Sequence, residues 1–242
     1  MLRRINIRTA ALYILTSWID QSSIVHPVAQ TETKEQSTRT RIVEASAELF
    51  RRHGYAGTGV KAIVASSTST YGSLYHFFPG GKEELGVVAL RSGGETYRRL
   101  VEAFYTEGAD VVVATNSFFE GAAIVVEMTG FADACPIATV ALEVADTSEP
   151  MRQAAAEAFE SWLAVLEKRF SEAGMDPARA REVAVELFCA IEGAFLLSRT
   201  IRSTEPIKIA GRACSAAVGA AVGRTQVASR NRRAKRARNV IP

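Results

Sequence analysis

Cysteine is scarce in this 242-residue chain: Cys135, Cys189 and Cys214 are far apart and odd in number. They build no disulfide framework and show no CxxC zinc spacing, so reduced thiols in a cytosol are expected, and no metal site. Histidine is equally rare. His26, His53 and His76 pair with no Cys or Ser near a carboxylate, which removes the common nucleophilic triads. No run of about 18 uncharged apolar residues marks a membrane span, and no alternating β-run of convincing length is present. A phosphate loop is missing too. In Gly80-Gly81-Lys82 the next residue is Glu83 in place of Ser or Thr, and His76 stands five before Gly81 where a glycine is needed. With no cofactor fingerprint, the residues support neither an enzyme nor a bound cofactor.

What the chain does have is apolar substance and an uneven charge. The 48% hydrophobic share is too high for a disordered chain, and the length can bury a real core. The formal net charge of +3 conceals an asymmetry. Residues 109–223 carry sixteen acidic against nine basic side chains, and 224–242 carry seven basic and none acidic. A mildly basic front, an acidic middle and a basic end suggest parts with different partners.

Residues 1–38 read as a poorly ordered extension. Three arginines in Met1–Thr9 and the apolar run Ala10–Ile19 imitate a secretory signal, but no small-x-small cleavage site follows. From Arg39 the pattern is helical, with Ile42, Ala45 and Leu49 on one stripe and Val43, Ala47 and Phe50 beside it. Ser37 or Thr38 is placed to cap this helix and Gly54 to stop it. A second short helix is expected with Thr58 as N-cap, through Val60, Ile63 and Val64. A third runs from about Thr70 to Phe77 or Phe78, before Pro79-Gly80-Gly81. Three short helices with a polar break at 67–70 make a helix-turn-helix candidate over 39–85. A long helix from about Lys82 to Glu107 follows. Proline then sits where helices can restart, at Pro136, Pro150, Pro177 and Pro206. The expectation is an all-α chain of about nine helices: a three-helix helix-turn-helix domain over 39–85, then a larger helical domain over 86–223, then a basic disordered tail over 224–242.

A third helix of seven or eight residues would be about 10–12 Å long, close to the width of a B-DNA major groove. Ser69, Thr70, Tyr71 and Ser73 offer hydroxyls at its start. Gly72 removes a side chain where a duplex must come near. Tyr75 and His76 stand at its phosphate end, and Lys82 adds charge at the next helix start. Leu74, Phe77 and Phe78 are read as core.

Leu49-Phe50, His53-Gly54-Tyr55, Thr58, Val60, Ile63, Gly72-Ser73-Leu74-Tyr75-His76-Phe77-Phe78 and Lys82-Glu83-Glu84-Leu85 follow one another in an order and spacing that resemble the DNA-binding region of TetR/AcrR-type transcriptional repressors. Cys135-Pro136, Ala141-Leu142-Glu143 and Ile191-Glu192-Gly193-Ala194 look like the LmrA/YxaF-type branch. The resemblance implies a cytoplasmic repressor that binds double-stranded operator DNA as a homodimer. It implies 39–85 as the DNA-binding domain and 86–223 as the helical ligand-binding and dimerisation domain, and it adds Thr58 to the DNA-contacting set. The chain departs from the family at the turn, where Thr68 and Ser69 replace a small residue and an apolar one, which predicts a looser or differently shaped turn. Tyr71 fills a slot where relatives often carry Lys or Arg.

In the second half, Val183–Leu197 is apolar apart from Glu186 and Glu192, so it must be covered on several sides, one of them by a twofold partner. Ala190 and Ala194 are taken as positions in that seam. Phe118, Phe119, Met128, Phe131, Phe159, Trp162, Phe188 and Phe195 supply lining for an effector pocket. Glu192 reads either as a pocket acid for a cationic ligand or as an inward-tilted interface residue. The alternative to a ligand-responsive repressor is a non-specific nucleic-acid-binding or scaffold protein driven by the basic tail.

Overall fold

The computed structural model describes residues 34–132 and 135–238; side chains are described from Ser37 to Gly223. Among these residues every regular element is an α-helix, nine in all. The apparent signal at 1–19 lies outside them.

α1 (Lys34–His53) buries Ile42, Val43, Ser46 and Phe50 along one face. It starts earlier than expected, so Ser37 and Thr38 lie inside its first turns and not at its N-cap position; Lys34, Glu35 and Gln36 are good helix formers and extend it. Gly54 closes it at φ 73°, its N–H returning to the Phe50 carbonyl at 2.9 Å. α2 (Val60–Ser66) and α3 (Tyr71–Phe77) follow, separated by residues 67–70. α4 (Gly81–Phe104) ends a few residues short of the expected Glu107.

The remaining helices start where polar caps and prolines permit. Asp110 caps α5 (Val111–Met128), and Cys135 caps α6 (Pro136–Val144). Ser148 caps α7 (Glu149–Glu172), and Asp176 caps α8 (Pro177–Ile201). α9 (Glu205–Arg238) has Pro206 in its first turn. Its helical backbone runs on to Arg238 where the sequence suggested a disordered tail from 224, since Arg, Ala, Gln and Lys all favour helix.

α5 is long and apolar enough, by length and composition, to cross a membrane, although Glu120 and Glu127 hid it from a search for an uncharged run. Here it is a core helix, with Val111, Ala114, Thr115, Phe119, Ala123 and Val126 buried and its main packing partner α9.

The apolar side chains gather in two cores whose border does not follow the sequence boundary at 85/86. One core joins α1–α3 to the first half of α4, to α6 and to α7 as far as Trp162. The other joins the end of α4 to α5, the second half of α7, α8 and α9. Phe188 and Phe195 pack against both. α4 and α7 cross closely at Gly94, where a Cβ would stand 2.7 Å from that of Ala158, and the Trp162 indole N–H donates to the Gly94 carbonyl at 2.8 Å.

Candidate DNA-reading helix and effector cavity

The turn between α2 and α3 is a regular cap, where a looser or differently shaped one was expected. Ser69 N–H donates to the Val64 carbonyl at 3.1 Å and Thr68 N–H to the Ala65 carbonyl at 3.3 Å, the paired bonds of a Schellman cap. Thr68 holds the left-handed position at φ 49° that glycine normally fills. The Arg41 Nε donates to the Ser67 carbonyl at 3.3 Å and ties α1 to this turn. Arg41 is thus an exposed cation beside the α2–α3 turn, outside the motif residues that begin at Leu49.

The turn aims α3 outward. Thr70 caps it, its Oγ1 accepting from Ser73 N–H at 3.0 Å and lying 3.0 Å from the Ser73 hydroxyl. Leu74 and Phe78 are fully buried and Phe77 partly so, which forces Tyr71, Gly72, Tyr75 and His76 to the surface. Tyr71 and Tyr75 are half exposed, at 50% and 51%. A Cβ on Gly72 would meet only Thr70 Oγ1, at 3.7 Å, so nothing inside the protein requires glycine there; the space it leaves faces outward. Ser69 is half-buried, with its hydroxyl 2.7 Å from that of Ser67.

Two expected DNA contacts are placed otherwise. Thr58 is buried and caps no helix: its hydroxyl donates to the Gly54 carbonyl at 2.8 Å and lies 3.2 Å from that of Leu49, while Gly59 is the N-cap of α2. It locks the α1–α2 corner and presents no side chain to a duplex. Lys82 lays its ammonium 4.0 Å from the centre of the Tyr55 ring. Burial pulls its pKa down while the nearby Glu143 pushes it back up, so this charge is partly held inside. The N–H of Gly80, beside it, is taken by the Glu84 carboxylate at 2.7 Å.

Glu143 itself joins the two halves of the molecule. From α6 its carboxylate accepts the Tyr55 N–H at 3.2 Å and the Ala56 N–H at 2.6 Å. The backbone there is so close that a Cβ on Gly54 would overlap Glu143 Oε1. At the other end of α6, Cys135 both caps the helix through its sulfur and lines a cavity.

That cavity is about 60 Å³, well below the 300–1,000 Å³ of a typical ligand pocket. Of the residues singled out as lining, Phe118, Trp162, Phe188, Glu192 and Phe195 surround it. Four others lie elsewhere. Phe119 is fully buried against Gly211 of α9. Met128 is 59% exposed. Phe131 follows the end of α5 at φ 62°, and Phe159, which is not part of the cavity wall, packs edge-on against Trp162 at 5.4 Å. On a helix adjacent residues point about 100° apart, so Phe118 and Phe119 cannot both face one cavity. Sequence reading missed Tyr97, Val101 and Phe104 on α4, although their i, i+4, i+7 spacing marks them as one inward stripe. Burial raises the Cys135 and Tyr97 pKa values well above their usual ranges, and it pushes Glu192 up to about 7.

Residues 42–86 match the family model described as bacterial regulatory proteins, tetR family, and residues 111–213 match the C-terminal domain of LmrA/YxaF-like transcriptional regulators. YxaF, an uncharacterised HTH-type transcriptional regulator of Bacillus subtilis, is 33% identical over 175 residues, covering 72% of this chain and 92% of its own length. The HTH-type transcriptional regulator LmrA of the same organism is 32% identical over 170 residues, covering 70% and 90%. Among solved structures, a regulatory protein TetR from Rhodobacter sphaeroides superposes with a TM-score of 0.66 at 21% identity, covering 74% of this chain and 98% of that one. The reduced form of E. coli NemR gives 0.63 at 21%, covering 73% and 94%. The chain is a DNA-binding transcriptional regulator and not an enzyme, and it belongs to the TetR family, in its LmrA/YxaF-like branch.

Proposed function

We propose that the protein is a cytoplasmic, homodimeric repressor that holds a palindromic operator through α3 and releases it when a small, largely apolar molecule enters the cavity beside Cys135. Residues 39–85 are the DNA-binding part and 86–223 the effector and dimer part. The observation that carries this reading is the span of α6. Its N-cap, Cys135, is cavity wall, and Glu143 near its other end holds the backbone of Tyr55 and Ala56 at the base of the DNA-binding helices. A molecule too large for the cavity must displace its walls, and a rigid nine-residue helix carries the displacement to that corner.

The dimer seam of this proposal is the outer face of α8 together with α9. Leu196, Leu197 and Ile201 on α8 and Ile209 on α9 are exposed at 49–67%, apolar area that a twofold partner would cover. A dimer also sets two copies of α3 against successive major grooves about 34 Å apart.

Selection of DNA fragments by the purified protein, followed by footprinting, tests the reading. A palindromic site protected in two patches one helical turn apart is expected, with protection lost on adding a cavity-binding molecule. Uniform binding with no defined footprint would favour the non-specific basic clamp instead.

A further inference from the structure

The effector cavity contains a carboxyl that no protein cation balances. Glu192 of α8 lines it, and its wall holds no Lys, Arg or His among the described residues. Everything else at the wall is apolar or neutral: six aromatic side chains, Tyr97, Phe104, Phe118, Trp162, Phe188 and Phe195, aliphatic groups, and the Cys135 thiol. Trp162 stacks on Phe188 at 5.6 Å and lies 5.6 Å from Tyr97, so an aromatic cluster shares the wall with the carboxyl. The indole N–H is already used by Gly94, which leaves the Cys135 thiol as the hydrogen-bonding neighbour of Glu192.

A carboxylate in such surroundings is costly unless something supplies the opposite charge. We infer that the cavity is built for an amphipathic organic cation, whose ammonium pairs with the Glu192 carboxylate while its apolar body lies among the aromatic side chains. This rests on the reading of the cavity as the effector site and names the class of effector it takes. A quaternary or tertiary ammonium is weakly hydrated and is attracted by ring faces as well as by the carboxylate. A neutral hydrocarbon of the same shape fills the same space and leaves the carboxylate unpaired, and an anion is repelled by it.

The titration follows with a definite sign. Burial lifts the Glu192 pKa to about 7, so its ionised fraction grows as pH rises through neutrality. The groups facing it from neighbouring elements are the Cys135 thiol at the start of α6 and the Tyr97 phenol on α4, both raised further by burial and neutral there. Behind the phenol, Arg51 and Glu48 of α1 act on Tyr97 with opposite signs, and Arg51 is ion-paired with Glu48. α5 and α7 turn no titratable side chain to the cavity. Affinity for a fixed cation therefore climbs about tenfold from pH 6 to pH 8, as the ionised fraction goes from roughly one-tenth to roughly nine-tenths.

The test is calorimetric titration of the full chain with phenyltrimethylammonium and with tert-butylbenzene, its uncharged isostere, at pH 6 and pH 8 and one salt concentration. Both probes exceed the present cavity alike, so the work of opening it is common to them. The expected result is at least tenfold tighter binding of the cation at pH 8, falling toward that of the hydrocarbon at pH 6. The Glu192→Gln variant should lose both the charge preference and the pH dependence while still binding tert-butylbenzene. Equal, pH-independent binding of both probes to the parent protein overturns the cation assignment and leaves the effector cavity standing. Binding of neither overturns both. The comparison on the parent protein needs no variant to fold.

Discussion

Thr68 shows how one residue can keep a turn and strain it. Both cap bonds are made, yet a β-branched side chain sits at φ 49°, where non-glycine residues lose roughly 1–2 kcal/mol. Glycine relieves that strain and gives back part of the gain through the freedom of its unfolded chain. Thr68→Gly should therefore raise stability by roughly 0.5–1 kcal/mol in a thermal or denaturant melt; an unchanged or lowered midpoint would show that the turn holds Thr68 without strain. On the neighbouring helix, Tyr71 is half exposed and lies outside both apolar cores. Tyr71→Ala should weaken operator binding by about 1–3 kcal/mol. His76→Ala should weaken operator and random DNA together, since phosphates carry no sequence information. Both variants should melt within about 0.5 kcal/mol of the parent. If both bind operator as the parent does, α3 is not the reading element.

Between elements, the two close helix crossings depend on missing side chains. At Gly211 of α9 a Cβ would lie 2.6 Å from the Cβ of Phe119 on α5, an atom near the backbone that has little room to yield. Gly211→Ala should cost about 1–3 kcal/mol of stability. Gly219, eight residues further along α9, meets only a Val112 methyl at 3.6 Å, so Gly219→Ala should be neutral or stabilising by up to about 1 kcal/mol. Melting curves of the pair separate packing from propensity, and equal effects would refute this account of the α5–α9 crossing.

Self-association depends on which apolar surface the subunit leaves uncovered. Ala194 is 5% exposed and sits in its own subunit's core, so a charge there would unfold the chain before it tested any dimer. Leu196, two positions on, is 67% exposed and faces away from that core. Leu196→Glu should weaken self-association at least tenfold, about 1.4 kcal/mol or more, with the helical signal unchanged. Light scattering across a concentration series reads this directly. A variant that stays as dimeric as the parent would place the seam elsewhere.

The helices and the helix-turn-helix can be read along the chain, because apolar spacing, polar caps and prolines act over one or two turns. The 67–70 break, the start of the third helix near Thr70 and the restarts at Pro136, Pro150 and Pro177 were all legible for that reason. Where local reading failed, a distant partner had the deciding share. Thr58 looked like a helix cap until the carbonyls of Leu49 and Gly54 claimed its hydroxyl. Lys82 looked like a free phosphate ligand until the Tyr55 ring and Glu143 met it from two other elements. The cavity was half legible: aromatic residues could be counted along the chain, but their direction could not, so Phe118 and Trp162 were found with Phe119 and Met128 wrongly beside them. Glu192 stood open between cavity and interface in the sequence, and only the packing of α4, α6, α7 and α8 around one space turned it inward. A side chain's type is written at its own position, whereas its neighbours, and with them its charge and its role, are set by which helices the fold brings to it.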